Sequence, residues 1–156
     1  MREIKFRAWN KQTRRMEEVK QINLFDDEML NGRLVWYSLR HAELLQYTGL
    51  QDKNGKEIYE GDIIFSVNEN GVFLQEIGFG EDEKEYTEFL NGFKIVNGRR
   101  LDIDFWDSKL QGNDVYLVEK YNIPVSECKG EKYIEDGWWV VGNIYEHPKL
   151  LENEKW

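Results

Sequence analysis

Cysteine, histidine and proline are scarce in this sequence, and each shortage argues against a class of protein. Cys128 is the one cysteine, so no disulfide can form within the chain, which suits a reducing cytosol. The two histidines, His41 and His147, do not lie at zinc-ligand spacings from that cysteine or from each other. Two prolines in 156 residues leave no room for a proline-rich linker. The sequence therefore predicts a compact chain without disulfides, bound metal or any other cofactor.

Long apolar runs and excess positive charge are also missing. No stretch of 18 apolar residues occurs, and the first residues mix charged with apolar side chains, which fits neither a signal peptide nor a membrane span. The net charge is −9, and the densest basic spots are only Arg14-Arg15 and Arg99-Arg100. General binding to nucleic acid or to anionic lipid needs clustered cations. We therefore expect a cytoplasmic protein that does not contact a membrane, and the composition argues against nucleic acid as its partner.

Aromatic residues and Asn-Gly dipeptides, by contrast, are abundant. The chain has six Trp, eight Tyr and eight Phe residues, which favour the half-buried faces of β-sheets. Asn-Gly occurs five times, at positions 31, 54, 70, 91 and 97. Asparagine and glycine accept the positive φ that a tight type I′ hairpin turn requires. The sequence thus predicts a mostly β fold built from hairpins, with at most short helices.

Local patterns place individual elements. Residues 114–120 alternate in a way typical of a strand, residues 123–137 are typical of a loop, and Asp82 begins a segment that favours a short helix up to Leu90. Gly61-Asp62 directly precedes the apolar run Ile63-Ile64-Phe65, an arrangement that often opens the first strand of a small barrel.

Three segments together resemble a known family. They are IKFRAWN at residues 4–10, QYTGLQDKNGKEIYEGDI at 46–63, and VGNIYEHPKLL at 141–151. In this order they resemble the YopX family of bacteriophage and prophage proteins. Residues 66–137 carry no recognisable motif, and this middle segment is longer than the resemblance predicts. Its strand count is left open.

The resemblance implies a setting and a fold but no reaction. It implies a small SH3-like β-barrel over residues 45–156, packed against a β-containing extension of residues 1–44, in a protein made in the cytoplasm of a bacterial host. The family has no established catalytic residues to carry over. Its shared residues are those a fold needs, and we interpret them as structural: Gly49, Asn54, Gly55, Gly61, Asp62, Gly142, Asn143 and Pro148.

Two carboxylate patterns could suggest metal binding. Residues 52–63 resemble a calcium loop only superficially, because the sixth position is Glu57 and the twelfth is Ile63, where that loop needs Gly and Glu. Asp102 and Asp104 would share one face of a strand and could bind Mg²⁺ or act as an acid and base pair. The ordinary interpretation of these two residues is the polar outer face of a half-exposed strand.

Aromatic side chains are the more informative candidates for binding. Trp138 and Trp139 are adjacent, so in a strand one ring faces the core and the other must be covered by another part of the chain, a second subunit or a ligand. The speculative interaction residues are Trp36, Tyr47, Tyr59, Trp138 and Trp139. Burial of all these rings within the monomer is the competing interpretation.

Three functions are compatible with these sequence features. The first is a non-catalytic module that binds an unidentified host or phage protein, with homo-oligomers possible through exposed strand edges. The second is a nucleic-acid-binding module of the SH3-like type, and the third is a small metal-dependent enzyme that uses Asp102 and Asp104. The first agrees best with the lack of catalytic motifs, whereas the charge balance disfavours the second.

Overall fold

The computed structural model describes residues 3–78, 88–89, 93–101 and 114–152. These residues are mostly in β-strands, with antiparallel pairing throughout and one short α-helix. This confirms the prediction of a mostly β fold. No helix among the described residues has the length and apolar character needed to cross a membrane. Asp102 and Asp104 lie outside the described residues.

A six-stranded sheet contains the N-terminal part of the chain. In sheet order its strands are β4 (Trp36–Ser38), β3 (Glu28–Asn31), β2 (Arg15–Asn23), β1 (Phe6–Asn10), β5 (Ala42–Gln51) and β6 (Glu57–Tyr59). The predicted division between residues 44 and 45 falls inside β5. This strand pairs with β1 on one side and with β6 on the other.

A five-stranded sheet forms the centre of the molecule. In sheet order its strands are β13 (Gly137–Asn143), β7 (Asp62–Asn68), β8 (Gly71–Gly78), β10 (Phe93–Arg100) and β9 (Glu88–Phe89). Strand β7 is buried from Asp62 to Val67, which explains its continuous apolar run. Both faces of this sheet are therefore covered along β7.

Two different sets of residues cover the two faces. One face presents Phe65, Leu74 and Trp139 to a core completed by the helix and the C-terminal residues. The other presents Ile64, Ile77, Phe93 and Val140 to Ile58 of β6. Leu50, Ile95 and Trp138 extend this second core to the surface. The sheet is thus a central layer rather than one wall of a single core.

Two segments differ from the sequence-based prediction. Helix α1 (Val115–Lys120) replaces the predicted strand at 114–120, because its adjacent Leu117 and Val118 are both buried in the first core, which strand alternation would not allow. The predicted loop at 123–137 contains a hairpin of β11 (Val125–Cys128) and β12 (Glu131–Ile134). The predicted helix at 82–90 lies mostly outside the described residues, and the two described residues form β9.

The five Asn-Gly dipeptides, all predicted to be turns, fall into three groups in the structure. Those at 31, 54 and 70 lie at turns between neighbouring strands, as predicted. Asn97-Gly98 instead lies within β10, next to a bulge, where a Cβ on Gly98 would approach the Leu74 carbonyl oxygen to 2.9 Å. Glycine is needed there for close strand approach rather than for a turn. The dipeptide at 91 lies outside the described residues.

The described strands form open sheets, not the closed barrel that the resemblance implies. Strands β13 and β9 are the two edges of the five-stranded sheet and do not pair with each other. The outer edge of β13 is instead covered by the turn between β5 and β6: Lys53 N–H donates to the Trp138 carbonyl, and Val140 N–H donates to the Asp52 carboxylate. Because these backbone groups of β13 already have hydrogen-bond partners, β13 does not need another strand beside it to close a barrel.

Candidate functional site

A buried ion pair joins the first sequence motif to the second. Arg7 on β1 donates to the Asp62 carboxylate at the start of β7, and the Asp62 side chain is only 1% exposed. The same carboxylate accepts the Tyr59 N–H at 2.8 Å. Burial raises the pKa of Asp62, and the Arg7 guanidinium and the Tyr59 N–H oppose that rise. With both of its oxygens engaged, Asp62 anchors β1 to the central sheet and is not a free base.

Two tyrosines, Tyr47 and Tyr59, extend this cluster. Arg7 lies over the Tyr59 ring at 4.7 Å from its centroid, and the Tyr59 and Tyr47 rings are 5.4 Å apart. The Tyr59 hydroxyl donates to Glu57, which also accepts from Lys5 at 2.6 Å. Burial raises the pKa of Tyr59, and the Lys5 hydrogen bond lowers the pKa of Glu57. The two rings are therefore held by partners within the chain.

The turn between β5 and β6 is organised by Asp52. One carboxylate oxygen accepts the N–H groups of Asn54 and Lys56 at 2.8 and 2.9 Å, and the other accepts the Val140 N–H at 2.9 Å. Gly55 has the positive φ, 81°, that the turn requires. Asp52 thus closes its own turn and satisfies the edge of β13 at the same time.

The C-terminal motif closes the same region. The Asn143 side-chain oxygen accepts the N–H groups of Tyr145 and Glu146, which forms an Asx turn. Tyr145 stacks on Trp9 with ring centroids 5.6 Å apart. A Cβ on Gly61 would lie 3.1 Å from the Tyr145 ring. All three motifs therefore meet around Gly61, where their shared residues stabilise the fold.

Three further motif residues serve local backbone geometry. Gly49 has a φ of 84° at an irregularity in β5. A Cβ on Gly142 would lie 2.7 Å from the His147 ring nitrogen, and Pro148 begins a 3₁₀ turn that ends at Leu151. These residues carry no chemistry that points to a ligand.

A cleft of about 460 Å³ lies between the β1–β2 and β3–β4 turns. At its centre the Glu17 carboxylate accepts from the side-chain amides of Asn10 at 2.9 Å and Asn31 at 2.6 Å. Each asparagine oxygen accepts two backbone N–H groups of its own turn. Burial, with Glu17 nearby, raises the pKa of Tyr37 to about 12. This network joins the two turns, and the buried Tyr37 hydroxyl in the cleft lining has no hydrogen-bond partner among the described residues.

A second groove, of about 600 Å³, lies on the face of the central sheet that Ile58 covers in part. Its apolar lining consists of Leu50, Ile64, Val67, Ile95 and the Trp138 ring. Its polar lining is mostly uncharged and consists of Gln51, Ser66, Asn68 and Gln75, with Asp52, Lys53 and Asp136 as the charged members. The volume lies within the range of about 300–1,000 Å³ that is usual for ligand sites. We call this surface the Trp138 groove.

The chemistry of the Trp138 groove favours binding over catalysis. Asp52 is committed to three N–H groups, so it cannot serve as a free base. The charged members of the lining, Asp52, Lys53 and Asp136, sum to a single negative charge. Trp138 donates its indole N–H to the Gln51 carbonyl, which fixes the ring as one wall. Apolar walls with uncharged donors and acceptors are suited to holding a neutral chain.

Comparison with known proteins identifies the family. The model of the YopX protein family matches residues 5–152, nearly the whole chain. This chain belongs to the YopX family. It is also similar to the crystal structure of protein EF1440 from Enterococcus faecalis, with 25% identity, 97% of this chain and 100% of that chain covered, and a TM-score of 0.46. No curated protein matches the chain.

Within this YopX chain, the aromatic candidates fall into distinct environments. Trp139 and Tyr47 are buried, at 1% and 6% exposure, while Tyr59 belongs to the Arg7 cluster. Trp138 lines the groove on the face opposite Trp139, so the tryptophan pair divides between the two faces as a strand requires. Trp36 is 43% exposed on the edge strand β4. The structure does not bring the five rings together into one surface.

Cys128 and His147 are remaining candidates that the structure describes. Within the described ranges, no group of three or more His, Cys, Asp or Glu side chains is arranged to hold a metal ion. Cys128 is exposed on β11, and the His147 ring lies against Gly142 and accepts the Asn143 N–H at 3.3 Å. Sequence reasoning missed the groove residues Leu50, Gln75 and Ile95. Their separation in the chain carried no signal that they share one surface.

Proposed function

We propose that this protein is a non-catalytic interaction module that binds an extended peptide segment of a partner protein in the Trp138 groove. The observation that supports the proposal is the groove itself: an apolar floor of core residues, the half-buried Trp138 ring as one wall, and a rim of amide and hydroxyl side chains. SH3 domains use aromatic-lined grooves in the same manner to hold extended peptides.

The polar lining matches a peptide main chain. Gln51, Asn68 and Gln75 each offer both donors and acceptors, as a peptide backbone also does. An extended peptide places alternate side chains on one face, and these would enter the apolar part of the groove beside Leu50 and Ile95. The pairing of neutral amides with an apolar floor therefore selects a peptide over a charged ligand.

The alternatives fit this surface less well. A nucleic acid needs several cations along its phosphates, and the lining contains Lys53 alone, opposed by Asp136. We place the partner among host or phage proteins of a bacterial cytoplasm, the setting that the phage and prophage members of the family suggest. The net charge of −9 on this chain would favour a partner whose binding segment has basic flanks.

Selection from a phage-displayed library of random 12-residue peptides tests the proposal. Gln75→Arg adds a long charged side chain to the groove while keeping the aliphatic stem, and Gln21→Arg makes the same change on the exposed face of β2. We expect enriched peptides with alternating apolar residues that bind the wild type and Gln21→Arg. Their affinity for Gln75→Arg should fall on the order of tenfold or more, which corresponds to about 1.4 kcal/mol.

Two results would overturn the proposal. One is the absence of any enriched peptide, and the other is equal binding to both arginine variants after circular dichroism has shown that both are folded. Fluorescence anisotropy with single-stranded DNA at low salt distinguishes the nucleic-acid alternative, because binding that weakens steeply with added salt would favour that reading instead.

A further inference from the structure

The N-terminal sheet ends in a short edge strand surrounded by exposed apolar side chains. Strand β4 pairs with β3 on one side and is the outermost strand of its sheet. Leu34 is 71% exposed, Val35 52% and Trp36 43% at the turn that leads into it. At the opposite end of β4, the β2–β3 turn exposes Phe25 almost completely, at 96%. Apolar groups at both ends of an edge strand are a usual mark of a protein–protein contact.

The hydrogen-bond pattern shows which groups this edge offers. Asn31 N–H donates to the Val35 carbonyl at 3.0 Å, and Leu39 N–H donates to the Asp27 carbonyl at 2.8 Å. In an antiparallel ladder the bonded residues alternate, so positions 35 and 39 turn their backbone groups toward β3. The backbone N–H and C=O groups of Trp36 and Ser38 therefore turn away from β3, toward the open edge.

We propose that a second copy of this chain pairs with this edge, β4 against β4, antiparallel about a twofold axis at Tyr37. In that register Trp36 of each copy lies opposite Ser38 of the other. Both positions present outward N–H and C=O groups, so the two copies exchange four backbone hydrogen bonds and satisfy the edge completely. A strand whose outward positions lie symmetrically about one residue is complementary to itself.

The two ends of β4 are also complementary under this twofold axis. The β3–β4 turn of one copy lies beside the β2–β3 turn and Leu39 of the other. This brings the exposed Leu34 and Val35 toward an apolar neighbour that includes Phe25. It also brings Arg33, on the first turn, toward Asp26 and Asp27, on the second. Charge and apolar surface therefore both favour a copy of this chain in the antiparallel register over an unrelated strand.

The substitution Ser38→Pro tests the pairing with little expected effect on the monomer. The φ of Ser38 is −64°, the value that proline imposes, and its N–H faces the open edge. The change also removes the bond from Arg40 N–H to the Ser38 hydroxyl at 3.2 Å. Ser38→Ala removes that bond as well but keeps the outward N–H, so it is the matched control.

Sedimentation-velocity measurements from about 1 to about 200 µM, the range in which small interfaces dissociate, should show a concentration-dependent dimer for the wild type and Ser38→Ala. Ser38→Pro removes one donor from each copy, and we expect its dimer to weaken on the order of tenfold or more. A wild type that stays monomeric throughout this range, or a Ser38→Pro dimer of unchanged affinity, would overturn the proposal.

A second measurement does not depend on the variant folding. In the wild type, hydrogen exchange of the Trp36 and Ser38 amides should slow as protein concentration rises, while exposed amides of the β11–β12 turn should not change. Equal exchange at low and high concentration would contradict pairing at this edge even if dimers form elsewhere.

Discussion

Replacing Asp52 tests how one carboxylate can complete both a turn and the edge of the central sheet. Asp52→Ala removes three hydrogen bonds at once, two to its own turn and one to Val140 N–H. The Val140 N–H is buried and would be left without an acceptor, which costs about 1–3 kcal/mol. The two lost turn bonds add roughly 0.5–1 kcal/mol each, so the free energy of unfolding should fall by about 2–5 kcal/mol.

Asp52→Asn separates the two roles. The amide keeps one acceptor oxygen, so it can serve either the turn or β13 but must direct an N–H donor at the other. We therefore expect the free energy of unfolding of Asp52→Asn to lie between those of the wild type and Asp52→Ala. Asp136→Ala is the control, because Asp136 is an exposed carboxylate at the same groove, and its removal should change stability by no more than about 0.5 kcal/mol.

Urea denaturation gives the free energies, and native-state hydrogen exchange of the Val140 amide locates the effect. Exchange at Val140 should accelerate in Asp52→Ala more than exchange at the centre of β7. The reasoning would be refuted if Asp52→Ala lost less than about 1 kcal/mol, or if Val140 kept its wild-type protection relative to β7.

Two other predictions concern the region where the motifs meet. Gly61→Ala should lower the free energy of unfolding more than Gly55→Ala. Both residues have φ near 80°, but a Cβ at Gly61 would lie 3.1 Å from the Tyr145 ring, whereas a Cβ at Gly55 would meet open space. By urea denaturation we expect a loss of about 1–2 kcal/mol for Gly55→Ala and roughly 1 kcal/mol more for Gly61→Ala, and equal losses would show that Tyr145 moves aside. The Lys5 hydrogen bond lowers the pKa of Glu57 below its ordinary 4.5 in the folded state, so this carboxylate stabilises the fold above that pH and the benefit disappears as the pH falls through the folded pKa. The urea midpoints of the wild type and Glu57→Gln should therefore converge between about pH 6 and about pH 3, and a constant gap would contradict the pairing with Lys5.

Local signals in the sequence were sufficient for the turns and the fold class. Asn54-Gly55 and Asn70-Gly71 carry their turn chemistry in two adjacent residues, so tertiary contacts had little to alter. The Trp138-Trp139 pair also followed from local geometry, since adjacent residues in a strand face opposite sides.

Other features depended on residues that are distant in the chain. Residues 115–120 are rich in β-branched and aromatic side chains, yet they form a helix because Leu117 and Val118 both reach one core. Asn97-Gly98 has the composition of a turn, but the close approach of β8 places it inside a strand. In both cases packing outweighed local preference.

The sequence alone determined that the chain is a mostly β protein of the YopX type with tight hairpin turns, because turn chemistry and strand periodicity are properties of neighbouring residues. Only the tertiary structure decided that Arg7 pairs with Asp62, 55 positions away, that Asp52 covers the edge of β13, and that the described strands form open sheets. The Trp138 groove also belongs to this second group. Its lining comes from β5, β7, β8, β10 and β13, and a surface assembled from five strands exists only after those strands have taken their order in space.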